Sequence, residues 1–176
     1  MLLSLTRALI LLSLICSSFH VHAAENQDSL CHSAKPNHDA FEVLLTRYVR
    51  AGQVDYITWH KSEADRQGLR RYLKSLTDYC SPEFKSLEKS AQFALLLNLY
   101  NAAVIEWVLR HFPVASITDI RIASKGAFDV AWLRASWHKN QPMSLNHLEN
   151  QLIRPMFQDA RIHFGLVCAA KSCPAL

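Results

Sequence analysis

The chain predicts an α+β domain in which a helix-rich N-terminal two thirds packs on a small, mainly antiparallel sheet. Three observations lead there. Between residues 39 and 112 apolar side chains recur at helical spacing. Glycine is scarce, four in 176 residues, while 50% of the chain is hydrophobic, a balance that suits a compact, helix-rich globule better than a disordered chain. Short alternating apolar runs are confined to the last third.

The first two dozen residues read as a signal peptide. Arg7 supplies a positive start, Ala8 to Phe19 an apolar run, and Val21-His22-Ala23 the segment a signal peptidase reads, so cleavage is expected after Ala23. The apolar run is shorter than the ~20 residues that span a bilayer, and no stable membrane span is expected after cleavage. Ile15 is too bulky to precede a lipid-anchored cysteine at Cys16. The product is therefore expected to be periplasmic or secreted. Residues 24–38 read as a polar mature arm, and residues 39–176 as a single domain. Removing residues 1–23 leaves about 150 residues, enough for one real core.

From Asp39 the elements follow in order. Phe41, Leu44, Leu45, Tyr48 and Val49 predict a helix, with Gly52 as its stop. Val54 to Trp59, β-branched and aromatic, predicts a strand or extended connector. Glu63 to Tyr79 predicts a second amphipathic helix carrying Leu69, Tyr72, Leu73 and Leu76 on one stripe, and Ser81-Pro82-Glu83 restarts a helical turn. Ser90 to Phe112 is apolar almost all round, which marks the buried central helix. Asn98 and Asn101 interrupt it on one face and must find definite partners, because an unpaired buried amide costs about 1–3 kcal/mol. Phe128 to Trp137 predicts a strand, His138 to Pro142 a turn, and Ser144 caps a short helix from Leu145 to Ile153 that Pro155 closes. Arg161 to Cys168 predicts a final strand. Trp107, Trp132 and Trp137 are expected in the core, Glu149 and Arg154 as a partly buried ion pair, and His32, His38, His60 and His111 on the surface.

Two long motifs then carry a resemblance. Phe93-Ala94-Leu95-Leu96-Leu97-Asn98-Leu99-Tyr100-Asn101-Ala102 resembles the asparagine-bearing helix of the domain of unknown function 547 family, with Leu95 where the family usually has tryptophan. Further on come Pro113 to Ile117, Ser144 to Glu149, Leu152 to Pro155, and the run from Asp159 through His163 and Cys168 to Ser172-Cys173-Pro174, in the order the family shows. The resemblance spans about Asp39 to the C-terminus and implies a fold without naming a reaction. Family members continue beyond the last motif, so the chain ending at Leu176 is expected to be C-terminally incomplete.

The 19 basic and 15 acidic residues leave a small positive excess with no Lys/Arg block, which argues against nucleic acid as a partner and gives no reason for an anionic membrane surface. Setting Cys16 aside, four cysteines remain, and an even number in an oxidising compartment predicts disulfides. Of three pairings, Cys31–Cys80 with Cys168–Cys173 is favoured, since the second pair flanks a short polar loop. A competing expectation makes Cys168 a nucleophile, His163 its base, and Asn101, Asn98 or Glu149 the group that orients the imidazole. That arrangement describes a thiol-dependent hydrolase or acyl transferase. In a regular strand His163 and Cys168 would point to opposite faces, so it needs a bulge or turn at Gly165, or Cys173 folding back instead. The alternative is a non-catalytic binding or scaffold module with a structural disulfide. His163, Cys168 and Cys173 match no common zinc spacing and would need Glu149, His138 or His147 as a fourth ligand, so no metal and no cofactor is expected. The partner could be a small molecule, a peptide or a protein.

Overall fold

The computed structural model describes residues 31–167 and residue 169. The signal peptide, the start of the arm, Cys168 and Cys173 lie outside the described residues. Helix α1 (Asp39–Tyr48) buries Phe41, Leu44 and Tyr48, the stripe its periodicity predicts. The chain then turns back through β1 (Val49–Arg50) and β2 (Gln53–Val54), paired antiparallel with Val49 opposite Val54. Ala51 and Gly52 both have positive φ, 49° and 74°. A two-residue hairpin needs that conformation to match the strand twist, so Gly52 serves the hairpin and does not stop the helix directly. The segment expected to stay extended instead coils into α2 (Tyr56–Lys61). The Asp55 carboxylate accepts the Thr58 N–H at 2.9 Å, and this cap outweighs the β-forming composition.

Helix α3 (Glu63–Thr77) starts at Ser62, whose hydroxyl accepts from the Asp65 N–H. The Asp65 carboxylate in turn receives Arg47 at 2.6 Å and the Tyr48 hydroxyl at 2.5 Å, fastening α1 to α3. Tyr48 also stacks on the fully buried Trp59 of α2. Pro82 lies in the first turn of α4 (Ser81–Ser86), where its missing N–H removes no helical bond. Helix α5 (Lys89–His111) is the centre of the molecule: every residue from Asn101 to Leu109 is buried. It is long and apolar enough to cross a membrane, yet here it is enclosed by protein.

After α5 the elements are short. A 3-10 turn (Ile117–Asp119) leads to β3 (Arg121–Ile122) and β4 (Lys125–Gly126), a second antiparallel hairpin. The helix-rich α+β architecture stands, with its strands in these two hairpins. No strand forms from Phe128 to Trp137: that run is irregular, joined by one antiparallel bridge between Leu133 and Met143 and ending in a 3-10 turn, Ser136–His138. The tryptophans occupy the core. Trp107 stacks on Trp132 at 4.9 Å, and Trp137 donates its indole N–H to the Leu76 carbonyl at 2.9 Å.

Ser144 caps α6 (Leu145–His147) by accepting the His147 N–H. The helix continues as a π-helical turn (Leu148–Ile153) into α7 (Arg154–Phe157). Pro155 sits in the first turn of α7 and does not close the helix, which runs on to Phe157 and ends where Gln158 turns left-handed at φ 51°. The expected last strand is also replaced. Asp159 accepts the Arg161 N–H, and the chain coils into a helical turn, α8 (Ile162–Gly165).

The Cys31–Cys80 disulfide is formed and closes a separation of 49 residues, beside a bridge between His32 and Tyr79. A loop of that length predicts that Cys31→Ser with Cys80→Ser lowers unfolding free energy by about 3–4 kcal/mol in urea titrations.

Glu106 is only 2% exposed, and its one partner is Arg110 at 3.0 Å; its second carboxylate oxygen is buried without a hydrogen bond. Burial lifts this carboxyl above the usual range, against the opposing pull of Arg110. The native state thus holds a proton where the unfolded chain has released it. The site's contribution is greatest below the ordinary glutamate value and falls as pH rises through the folded one. Glu106→Gln should therefore be more stable than the parent at neutral pH, with the difference vanishing near pH ~4; a difference constant across pH would refute this.

Candidate functional site

The two asparagines of α5 share a helix face, but each holds a different part of the chain. Asn101, 8% exposed, donates its Nδ2 to the Gly165 carbonyl at 2.9 Å and accepts the Val167 N–H on Oδ1 at 3.1 Å. One side chain thus brackets the backbone that follows α8 and leads into Cys168. The approach is close. A Cβ added to Gly165 would stand 3.2 Å from Leu97 Cδ1, so glycine lets the end of α8 lie against α5. Because both ends of the Asn101 amide are engaged by backbone, its contribution is to hold that segment in place.

Asn98 turns toward the N-terminal arm. Its Nδ2 lies 3.2 Å from His38 Nδ1, which also meets the Tyr72 hydroxyl at 2.7 Å. An amide nitrogen can only donate, so the His38 Nδ1 lone pair is the acceptor and the ring proton resides on Nε2. Burial lowers the His38 pKa, Lys35 lowers it further, and Asp39 opposes both. Burial raises the Tyr72 phenol far above its ordinary value. Sequence reasoning placed His38 on the surface. It is half-buried, as are His32, His60 and His111, and each ring uses Nδ1 in a hydrogen bond. The Asn98–His38 contact joins residues 60 apart, and no local pattern announces it.

Glu149 accepts Arg154 Nε at 3.0 Å and Nη2 at 2.6 Å, forming the ion pair the sequence suggested. A separation of five would put these residues about 140° apart on an ordinary helix. Here the Arg154 N–H bonds the Glu149 carbonyl, five residues back, and the wider π-helical turn brings the side chains together. Tyr100 completes the group: burial, then the adjacent Glu149 carboxylate, push its phenol well above the ordinary range.

His163 is exposed on α8, its ring edge-on to Phe164 at 5.5 Å, and Phe164 is 70% exposed. The helical turn at 162–165 removes the alternation that would have set His163 and Cys168 on opposite faces. Cys168 and Cys173, with their expected disulfide, lie outside the described residues. The structure therefore brings Asn101 to the His163–Cys168 segment, while Asn98 engages His38, and Glu149 engages Arg154 and Tyr100. Among the described residues no three of His, Cys, Asp or Glu form a group that could hold a metal. His138 and His147 face each other at 5.4 Å; burial first, and then His147, lower the His138 pKa.

The model of the family described as "Protein of unknown function, DUF547" matches residues 84–176, more than half of the chain, and the protein belongs to that family. No curated protein and no solved structure matches it. The matched region contains α5, the Glu149 group and the α8 segment, but not His38 or Tyr72.

Asn101→Ala removes both backbone contacts and strands the buried Val167 N–H. It should cost about 2–3 kcal/mol in denaturant titrations and speed hydrogen exchange at Val167; an unchanged exchange rate would show that the bracket carries no strain of its own.

Proposed function

We propose that this protein is an exported thiol-dependent hydrolase or acyl transferase, with Cys168 as nucleophile and His163 as base. The observation that carries the reading is the Asn101 bracket on Gly165 and Val167. A buried amide on the central helix is spent on fixing the one stretch of backbone that lies between an exposed imidazole and a cysteine. Catalysis needs such preorganisation, because a nucleophile displaced by 1 Å loses much of its rate. In this reading Asn101 is a positioning residue. Asn98 supports the arm through His38, and the Glu149–Arg154–Tyr100 group supports the helix opposite α5.

The reaction would run in two steps. The His163 imidazole takes the Cys168 thiol proton as sulfur attacks an acyl carbonyl carbon; the proton passes to the leaving group as its bond to carbon breaks, leaving a thioester. Water, or an acceptor with a hydroxyl or amine, then loses a proton to His163, attacks the thioester and releases the thiol. The Cys31–Cys80 disulfide supports an oxidising compartment, in keeping with the N-terminal signal sequence.

The second reading, a binding module without catalysis, is favoured by the fact that two of the three candidate orienting residues, Asn98 and Glu149, are committed to other partners. Alkylation separates the two. Iodoacetamide should label Cys168 at about pH 6, well below the ordinary thiol value of about 8.5, and His163→Ala should move the inflection up to that value. A native protein with no reactive thiol at Cys168, or a profile that His163→Ala leaves in place, decides for the binding module.

A further inference from the structure

The arm and the first turns of α5 enclose a cleft of about 140 Å³ that neither the family match nor the thiol reading uses. Its walls are apolar: Pro36 from the arm, Leu87 from the α4–α5 junction, and Ala91, Ala94 and Leu95 from α5. Ala91, Ala94 and Leu95 follow helical spacing on one face, and the two alanines keep the floor low where longer side chains would fill it. Lys35 and His38 are the only polar residues lining it.

Both are donors. Lys35 makes no ion pair among the described residues, so its ammonium is uncommitted. The His38 ring is held at Nδ1 by Tyr72 and Asn98, which leaves the Nε2–H as its remaining donor. Asp39, the nearest acid in sequence, does not line the cleft. The ring cannot swing away easily, since it also packs edge-on against Tyr72 at 6.0 Å. The arm itself is anchored by the Cys31–Cys80 disulfide and by the bonds between His32 and the residues either side of Tyr79. A core asparagine, a buried tyrosine and a disulfide thus converge on holding one imidazole beside one lysine at the mouth of an apolar hollow.

We propose that this cleft is a binding site for a short aliphatic monocarboxylate. The carboxylate would bridge the Lys35 ammonium and the His38 Nε2–H, and the hydrocarbon would lie against Pro36, Leu87 and the α5 alanines. Size sets the class. An apolar cavity of about 150 Å³ takes a benzene-sized ligand, so chains of about four to five carbons fit and long-chain fatty acids do not. Sign sets it further, because two donors and no acceptor favour an anion over an amine of equal length. The site stands without reference to Cys168.

The test is a nuclear magnetic resonance titration of isotope-labelled protein with sodium butyrate, using butylammonium chloride and butanamide at matched ionic strength as controls. Butyrate should give saturable shifts centred on Lys35, His38, Ala91 and Ala94, with millimolar affinity, and both controls should bind at least about tenfold more weakly. Lys35→Met should weaken butyrate roughly tenfold. Ala94→Leu, a change at an exposed helical position that fills the cleft, should abolish the shifts while leaving the melting temperature within about 1 °C of the parent. The proposal is overturned if butyrate gives no saturable shift up to about 100 mM, if butylammonium binds as well, or if Ala94→Leu binds like the parent.

Discussion

Enclosing α5 on every side is the constraint from which the remainder of the architecture follows. A helix that is buried continuously from Asn101 to Leu109 has no solvent face on which to leave polar groups. Each such group must be answered by another element, at a cost of about 1–3 kcal/mol if it is not. Asn101 is answered by the α8 segment and Glu106 only in part, by Arg110. Near the buried stretch Asn98 is answered by the arm, and Tyr100 by the π-helical turn. The partners come from opposite ends of the chain, so the central helix both fills the core and ties N- and C-terminal segments to one axis.

This arrangement explains why short, irregular elements suffice around the helix. The stretch from Ala127 to Met143 has little regular structure, yet Leu133, Ala135, Trp137 and Met143 are buried. Its backbone groups are met locally, by the Leu133–Met143 pair and by the Asn146 N–H on the Phe128 carbonyl. Packing against a preformed apolar column supplies order that a ladder of strands would otherwise provide. The partly unanswered Glu106 shows the opposite side of that economy: a carboxylate kept in the column at some expense to the folded state.

The helices were legible because their signals are local. Apolar stripes placed α1, α3 and α5, and Ser144 and Pro82 marked starts that the structure contains. The strands were misplaced for an equally local reason. Val54 to Trp59 and Arg161 to Cys168 have strand-like composition, but Asp55 and Asp159 each bond a backbone N–H two or three residues ahead and start a helical turn. Such a side-chain cap is worth about 1 kcal/mol, enough to reverse a weak propensity. Of the candidate site, the need of Asn98 and Asn101 for partners could be read from burial alone, whereas the partners could not. His38, Gly165 and Val167 lie about sixty residues or more away, and only the fold brings them into reach.

The π-helical turn at Leu148–Ile153 has a bearing on how this region tolerates changes in length. A widened turn amounts to one residue inserted into an otherwise regular coil. Losing any single residue between positions 148 and 153 would let ordinary pitch return without unwinding the helix. Everything C-terminal to the deletion would then swing by about 100°, carrying the arginine off its glutamate and re-aiming the stretch that leads to α8. Evolution can therefore exchange side chains here far more freely than it can alter the spacing, and the reading frame of the helix, more than its composition, is what keeps Glu149 beside Arg154.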